Sequence, residues 1–467
     1  MKEFSITSLI RIIGAEVLPH TGWAAETAGN NAVITGASID SRTIKPGDCF
    51  FAIKGEKFDG HDYVTDAFAK GAVCAVIGKT VGGETLAGKC LLRVADTVKA
   101  LGDFAGDYRR QAGFKVVGIT GSVGKTTTRR ITAHALSRRF GVHQSPSSFN
   151  NNIGVPLTLL GADPRDEIVV AELGSNHPGE ISILTRIAQP DIAVVTNIHP
   201  AHLEGFGNIE AIVREKTSIS EGLGPDGVLI INGDFEQLID ACRPKGVELL
   251  TFGKSNGLDY RATDITSDGL SSRFMIDQTE VTLPLPGPGN IENALAAWAV
   301  CSRLGLKIEE FAEAVRALPP VSMRAEVLQI GTLTVLNDCY NANPASMENA
   351  LGILQALCSR TNRRSVFICG DMAELGAETR CLHRRLGESI SRVNVELLIA
   401  VGDFAQVTAG AARKSAERDL HVKCFKDARS AGNNLHEFIK EYDIVLVKGS
   451  RCARLETAVE KLKELFA

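Results

Sequence analysis

Short β-branched apolar runs alternate with longer segments whose apolar positions recur at helical spacing, and this alternation governs the chain from about residue 114 onward. Phe114, Val116 and Val117 read as a buried strand that runs into a Gly-rich turn, and the Thr-, Ala-, Leu- and Arg-rich segment after it reads as a helix. Further strands are predicted at 168–173, 192–196 and 228–232, with helices between them that include 209–223. This is the pattern of βαβ units around a mostly parallel sheet. Strand-like stretches at 249–252 and 271–285 interrupt the alternation, and a helix is predicted at 291–304. Pro319-Pro320 marks a linker, since neither residue fits a helix interior. Beyond it, strands at 334–337, 365–369, 397–401 and 444–447 predict a second doubly wound unit. Residues before about 100 carry shorter strands (32–39, 49–53, 73–77) broken by Gly and Asp turns. The pattern predicts an α/β chain of three domains: a small mixed domain (1–100), a P-loop ATPase-like domain with a mostly parallel sheet (101–318) and a Rossmann-like domain (319–467).

Composition narrows the class. The chain has 467 residues, 44% hydrophobic and 23% charged, as expected of a globular protein with sizeable cores. A net charge of −4 and 6% aromatics give no nucleic-acid signal. No apolar run approaches the roughly 18 residues of a membrane span, and the N-terminus does not read as a signal peptide. The 11 cysteines lack metal-type or paired spacing, which predicts reduced thiols in a cytoplasmic protein. Cys358, Cys369 and Cys381 read as core or surface residues. The absence of heptads predicts a monomer.

Candidate chemistry starts at residues 118–128, Gly-Ile-Thr-Gly-Ser-Val-Gly-Lys-Thr-Thr-Thr. A Gly-rich turn between strand and helix lets backbone N–H groups close on phosphate oxygens. Gly121, Ser122, Gly124, Lys125, Thr126 and Thr127 form that loop, with Lys125 at the outer phosphates and the Thr126 hydroxyl at Mg²⁺. The strict P-loop pattern would need Gly where Ile119 stands. Glu172, at the end of an adjoining strand, is placed to hold Mg²⁺, with a solvated strand end as the alternative. His202 alone reads as a capping or packing residue. By spacing, Lys216 is an exposed helical lysine, and Glu210, Arg214, Glu215 and Glu221 form a solvated face. Asp338, Asn341 and Asn343 crowd beyond a third-block strand, and Lys448-Gly449-Ser450-Arg451 follows the last one. A Lys, a hydroxyl and an Arg behind a Gly turn suit a carboxylate, with a basic helix start as the alternative. Asp40-Ser41-Arg42 and Asp59-Gly60-His61-Asp62 read as turns.

Taken together, these segments resemble the Mur ligases, ATP-dependent amide-forming enzymes of peptidoglycan synthesis. Thr120–Thr127, Ala171-Glu172-Leu173-Gly174-Ser175-Asn176 and the run from Thr196 to Glu204 carry the family likeness. Tyr340-Asn341-Ala342-Asn343-Pro344, Gly370-Asp371-Met372-Ala373-Glu374-Leu375-Gly376 and residues 150–156 resemble the branch that adds D-alanyl-D-alanine to UDP-N-acetylmuramoyl-tripeptide. The resemblance implies ATP and two Mg²⁺ ions, with Glu172, His202, Thr126 and a carbamylated Lys216 around the metal. It places Asn290 and Asn293 near adenine, Asp338 at the ribose or nucleotide, and Arg324 on the ATP phosphates. It assigns Ser41, Arg42, Asp59, Gly60 and His61 to the UDP-sugar. Asn151, Asn152, Asn341, Asn343, Lys448, Ser450 and Arg451 go to the peptide and acceptor. Closure of the third domain over the second is implied during reaction, with an open form in the absence of ligands. Gly289 stands where the family usually has His, Asn337 where Asp is common, and Cys339 where Ser is common. The third residue of the donor peptide and the general base are not legible. Competing readings are a ligase for a single amino acid, a folylpolyglutamate synthetase-like enzyme, and an ATP-binding switch that ligates nothing.

Overall fold

The computed structural model describes residues 1–18, 33–81, 86–243, 246–417 and 419–467. Its centre is a seven-stranded, all-parallel sheet. The strand order is Tyr260–Arg261, Glu248–Gly253, Val228–Asn232, Ile192–Val195, Lys115–Thr120, Ile168–Glu172, Val142–Gln144. The inner strands are buried on both faces, which is why they read as near-continuous apolar runs. Alternate residues divide between two cores. Val116, Val169 and Ala171 join one, while Val117, Ile119 and Val170 join the other. The second core is closed by the helices Lys125–Leu136 and Pro288–Arg303.

The first core is shared with the N-terminal unit. Helix Thr97–Ala112 runs through the boundary expected at residue 100, and its Phe104 meets Phe4 at 5.1 Å and Phe51 at 6.2 Å between ring centroids. The N-terminal sheet, in the order Glu16–Val17, Cys90–Arg93, Cys74–Ile77, Asp48–Phe51, Gly36–Ser38, is parallel except for its first strand. The single strand expected at 32–39 is two. Val33–Ile34 pairs with Phe4–Ser5, Gly36–Ser38 enters the larger sheet, and Ala32 lies outside the described residues. The stretch 271–285 is a hairpin, Ser272–Ile276 with Thr279–Leu283, in a separate three-stranded antiparallel sheet. The helix expected over 209–223 stops at Thr217 and continues as a 3₁₀ turn over Ser218–Gly222.

The C-terminal sheet has the order Glu326–Ile330, Leu333–Asn337, Ile444–Lys448, Ser365–Gly370, Leu397–Val401, His421–Phe425, parallel beyond its first strand. Register places Asn337 beside Val447 and Cys369 beside Lys448. The loops after these three neighbouring strands therefore leave the sheet side by side, at the carboxyl edge where ligands gather in such sheets. They face the carboxyl edge of the central sheet.

Candidate active site

The phosphate loop is shaped by the strand next to it. Thr196 Oγ1 donates to Val123 O (2.6 Å), Asn197 Oδ1 accepts from Val123 N (2.9 Å), and Ser122 Oγ donates to His199 O (2.9 Å). Gly124 has φ +86° and precedes the helix Lys125–Leu136. A Cβ there would lie 2.0 Å from Asn293 Oδ1. Gly124→Ala therefore both strains the turn and pushes Asn293 aside. It is expected to weaken ADP binding by roughly tenfold or more, as a strain of about 1–3 kcal/mol dictates; calorimetric titration of the folded variant checks this. Lys125 Nζ donates to Gly121 O at 2.7 Å. Burial pulls its pKa below the ordinary lysine value, with Glu172 opposing and Arg324 reinforcing the shift.

Glu172 ends its strand 2% exposed, so it is no solvated strand end. Its Oε2 accepts from Thr126 Oγ1 (2.8 Å) and its Oε1 from Asn150 Nδ2 (2.9 Å), with the Arg129 guanidinium 3.9 Å away. A carboxylate and a hydroxyl are hard oxygen donors in contact, and they fit Mg²⁺. Among the described residues no group of three or more His, Cys, Asp or Glu forms a metal cage. That fits an ion held by one carboxylate, waters and substrate phosphates.

Lys216 overturns its spacing-based expectation. It is 1% exposed, with Nζ donating to Ser175 Oγ at 2.7 Å and lying 5.5 Å from the Phe206 ring centre. Burial first, and Lys125 second, pull its pKa down to about 7. Glu215 is buried too, accepting from the N–H groups of Gly179 (2.6 Å) and Ile181 (2.8 Å). The helix Ile209–Thr217 thus turns Glu215 and Lys216 inward, because the segment beside it offers backbone donors and a serine that satisfy them. His202 has φ +53° and sits at the N-cap position of the short helix Leu203–Phe206, where its side chain makes no capping hydrogen bond. Its Nδ1 is hydrogen-bonded to Glu374 Oε2, and burial lowers its pKa.

The C-terminal loops are docked over this edge. The Arg324 guanidinium lies 4.0 Å from the Tyr340 ring centre, and the Tyr340 hydroxyl is hydrogen-bonded to Ser148 of the central unit. Gly289 N donates to Asn349 Oδ1 (3.1 Å), so the residue standing for the usual His contributes a backbone contact to the C-terminal helix Pro344–Thr361. Asn290 and Asn293 are buried and bonded to each other (3.2 Å). Asp338 accepts from Ala325 N (3.0 Å) and from Lys448 Nζ (2.6 Å). Lys448 is 2% exposed and also donates to Asn341 O (3.0 Å).

These groups line one cleft of about 530 Å³. It brings together Ser122, Gly124, Lys125, Thr126, Thr127, Asn151, Asn152, Glu172, His202, Asn290, Asn293, Arg324, Asp338, Asn341, Asn343 and Lys448. Lys216 stands just behind it through Ser175, which is in the lining. Other expected residues are elsewhere. Ser450 is buried and accepts from Ala373 N (2.7 Å), bracing a loop. Arg451 is exposed beside Glu456 (3.2 Å). Arg42 is exposed and paired with Asp40 (2.7 Å), while Ser41 is buried. Asp59 accepts from His61 Nδ1 (2.6 Å) and Lys79 Nζ (2.8 Å). His61 Nε2 accepts from Gly78 N (2.8 Å), so the His61 proton sits on Nδ1. Gly60 starts the turn between them, with its N–H donating to Ile53 O (2.9 Å). None of these N-terminal residues lines the cleft.

Sequence reasoning passed over Asn150, Ser175, Tyr340, Arg129 and Glu374 as site residues. All but Arg129 lie inside quoted motifs, but nothing in spacing tells which of them will face which.

Comparison with known proteins follows the same geography. Residues 33–109 match the Mur ligase family catalytic domain, 119–301 the Mur ligase middle domain, and 323–451 the Mur ligase glutamate ligase domain. The UDP-N-acetylmuramoyl-tripeptide--D-alanyl-D-alanine ligase of Bacillus subtilis is 34% identical, over 95% of this chain and 96% of its own. That of Escherichia coli is 33% identical over 94% and 96%. Among solved structures, MurF from Acinetobacter baumannii superposes with a TM-score of 0.87 at 30% identity, covering 99% of both chains. MurF from Thermotoga maritima in complex with ADP gives 0.79 at 27%, covering 92% of this chain and 97% of that one.

Proposed function

The chain belongs to the Mur ligase family, and on that premise we propose that it joins D-alanyl-D-alanine to the terminal carboxyl of UDP-N-acetylmuramoyl-tripeptide with cleavage of ATP. The observation that carries this reading is the cleft lined by Lys125 and Thr126, by Glu172, and by Arg324 from the C-terminal unit. A carboxylate oxygen of the tripeptide attacks the γ-phosphorus, the bond to ADP breaks, and an acyl phosphate results. The dipeptide amine then attacks the acyl carbon and phosphate departs. Lys125 and Arg324 neutralise charge that spreads over the phosphoryl oxygens in the first step. Thr126 and Glu172 would hold Mg²⁺, with His202 and a carbamylated Lys216 at a second ion. Magnesium there supplies electrostatic shielding of the phosphates. The docked C-terminal loops exclude water from a hydrolysable intermediate.

The domain assignment of the proposal is 1–100 for the UDP-sugar, 101–318 for ATP and 319–467 for the acceptor. Asp59, His61 and Ser41 serve the first, remote from the cleft as a long substrate requires. The enzyme works as a monomer, since one chain lines the whole cleft. It works in the cytoplasm, in keeping with eleven cysteines dispersed without paired spacing. No helix of the described residues is long and apolar enough to cross a membrane.

The test is an acceptor panel: ATP with UDP-N-acetylmuramoyl-tripeptide ending in meso-diaminopimelate or in L-lysine, and D-alanyl-D-alanine, D-alanine, L-alanine or L-glutamate as amine. Phosphate release matched by a pentapeptide product, with the dipeptide alone, is the expected result. Product with a single amino acid would assign a different ligase, and amine-independent hydrolysis a switch.

A further inference from the structure

The loop Asp371–Gly376 is fastened on both sides of one residue. Asp371 accepts from Asp403 N (2.7 Å), Met372 N donates to His383 Nε2 (3.1 Å), and Ala373 N donates to Ser450 Oγ. Met372 and Leu375 are each 1% exposed, in the core of the C-terminal unit. Between them Glu374 turns outward, at φ +60°, a region that L side chains enter only at a cost. Its side chain and its backbone both reach the central unit. Oε2 meets His202 Nδ1, and O accepts from Glu204 N (3.2 Å). His202 answers with its own left-handed backbone, φ +53°. Two non-glycine residues held in strained conformations against each other mark a junction that the surrounding structure over-determines. The imidazole faces the cleft while its Nδ1 is turned to the carboxylate, and Nε2 has no hydrogen-bond partner among the described residues.

We propose that Glu374 is a positioning residue: docking of the C-terminal domain delivers its carboxylate to His202 Nδ1, which fixes the imidazole proton on Nδ1 and leaves the Nε2 lone pair facing the cleft. A carboxylate on the far nitrogen of an imidazole sets its tautomer and raises its basicity as a ligand or acceptor. The two sheets then complete the site only together, because the orienting group and the oriented ring come from different domains. The inference deepens the ligase reading and rests on it for its kinetic consequence, whereas the tautomer itself does not depend on it.

The experiment uses the full chain labelled with ¹⁵N-histidine, at about pH 8, above the ordinary imidazole range. Long-range ¹H–¹⁵N correlation reads the tautomer of each ring, and the His202→Gln spectrum identifies the His202 signal. The wild type is expected to carry the proton on Nδ1. Glu374→Gln is expected to keep it there, since the amide oxygen still accepts. Glu374→Ala is expected to let the proton move to Nε2 in a large share of molecules. In the acceptor assay Glu374→Ala should lose about 10–100-fold in kcat, the range for groups that orient a ligand. The KM for ATP should hold, and Glu374→Gln should recover most of the rate. A His202 proton on Nε2 in the wild type, or an Nδ1 proton untouched by Glu374→Ala, overturns the proposal. So does a Glu374→Ala variant that couples at the wild-type rate. If the wild type ligates nothing, the ligase reading fails and the tautomer measurement still decides this one.

Discussion

Replacing Lys125 with alanine should lower amide formation by about 10³-fold while the chain stays folded. Among the described residues the ammonium holds only carbonyls of its own loop, Gly121 O at 2.7 Å and Ser122 O at 3.4 Å, so little of the architecture depends on it. The loop is shaped instead by Thr196, Asn197 and Ser122, which the substitution leaves alone. The charge that develops on the transferred phosphoryl oxygens would lose its nearest cation. Removing one such group from a water-excluded site typically costs 10²–10³, and losing a cation at a phosphoryl centre 10³–10⁵. The loss should fall on kcat more than on the KM for ATP, because loop N–H groups and Thr126 continue to bind the ground state. Parallel measurement of ADP and pentapeptide, with a melting curve as control, decides it. Coupling at the wild-type rate would remove the phosphate loop from the mechanism.

Arg324 stands in the same field from the other side. It lies near enough to Lys125 to depress that lysine's pKa further, and its seat is a tyrosine ring in the C-terminal unit. Two cations facing one cleft repel each other unless an anion lies between them. Glu172 offsets part of that repulsion, and a polyanion bound between Lys125 and Arg324 would relieve the rest.

How much of this was legible in the sequence depends on the range of the interaction. Central strands announced themselves because burial on both faces leaves an unbroken β-branched run, as in Val228–Asn232. The phosphate loop was legible because its chemistry is local, set by glycine, lysine and threonine within one turn. The strand expected at 32–39 was misread because its halves pair with different partners, and pairing is not a local property. Lys216 was misread for a stronger reason. Helical spacing beside Arg214 describes a solvated face, and only the approach of Ser175 and Phe206 from elsewhere makes burial tolerable. Lys448 and Ser450 sit at the expected loop, but their polar atoms turn to Asp338 and Ala373. That choice is made by neighbouring strands, not by neighbours in sequence. Arg451 points away for the same reason, leaving Asn341, Asn343 and Lys448 as the C-terminal residues of that group in the cleft.

Lys216 also yields the second large effect. An amine with a pKa of about 7 is substantially neutral at pH 8, where an ordinary lysine is charged. A neutral amine adds to the carbon of CO₂ and releases a proton, giving a carbamate whose oxygens suit a hard cation. Enzyme stripped of CO₂ at low pH should therefore couple slowly and recover on addition of bicarbonate, faster at about pH 8 than at about pH 6. Lys216→Ala should lose roughly 10²–10³-fold in kcat, as expected for removal of one electrostatic group, and bicarbonate should not restore it. A ¹³C carbamate resonance after labelling with ¹³C-bicarbonate, absent from the variant, gives the direct reading. The depressed pKa carries its own control in CO₂-free buffer. Between about 7 and the ordinary lysine value the unfolded chain binds the Lys216 proton and the folded chain does not, so folding stability should rise with pH across that window. Lys216→Met should lack this rise, by comparison of urea midpoints at the two ends of the window. Parallel midpoint curves for wild type and variant would mean that the buried amine keeps its proton, and the carbamate would then have no nucleophile to form from.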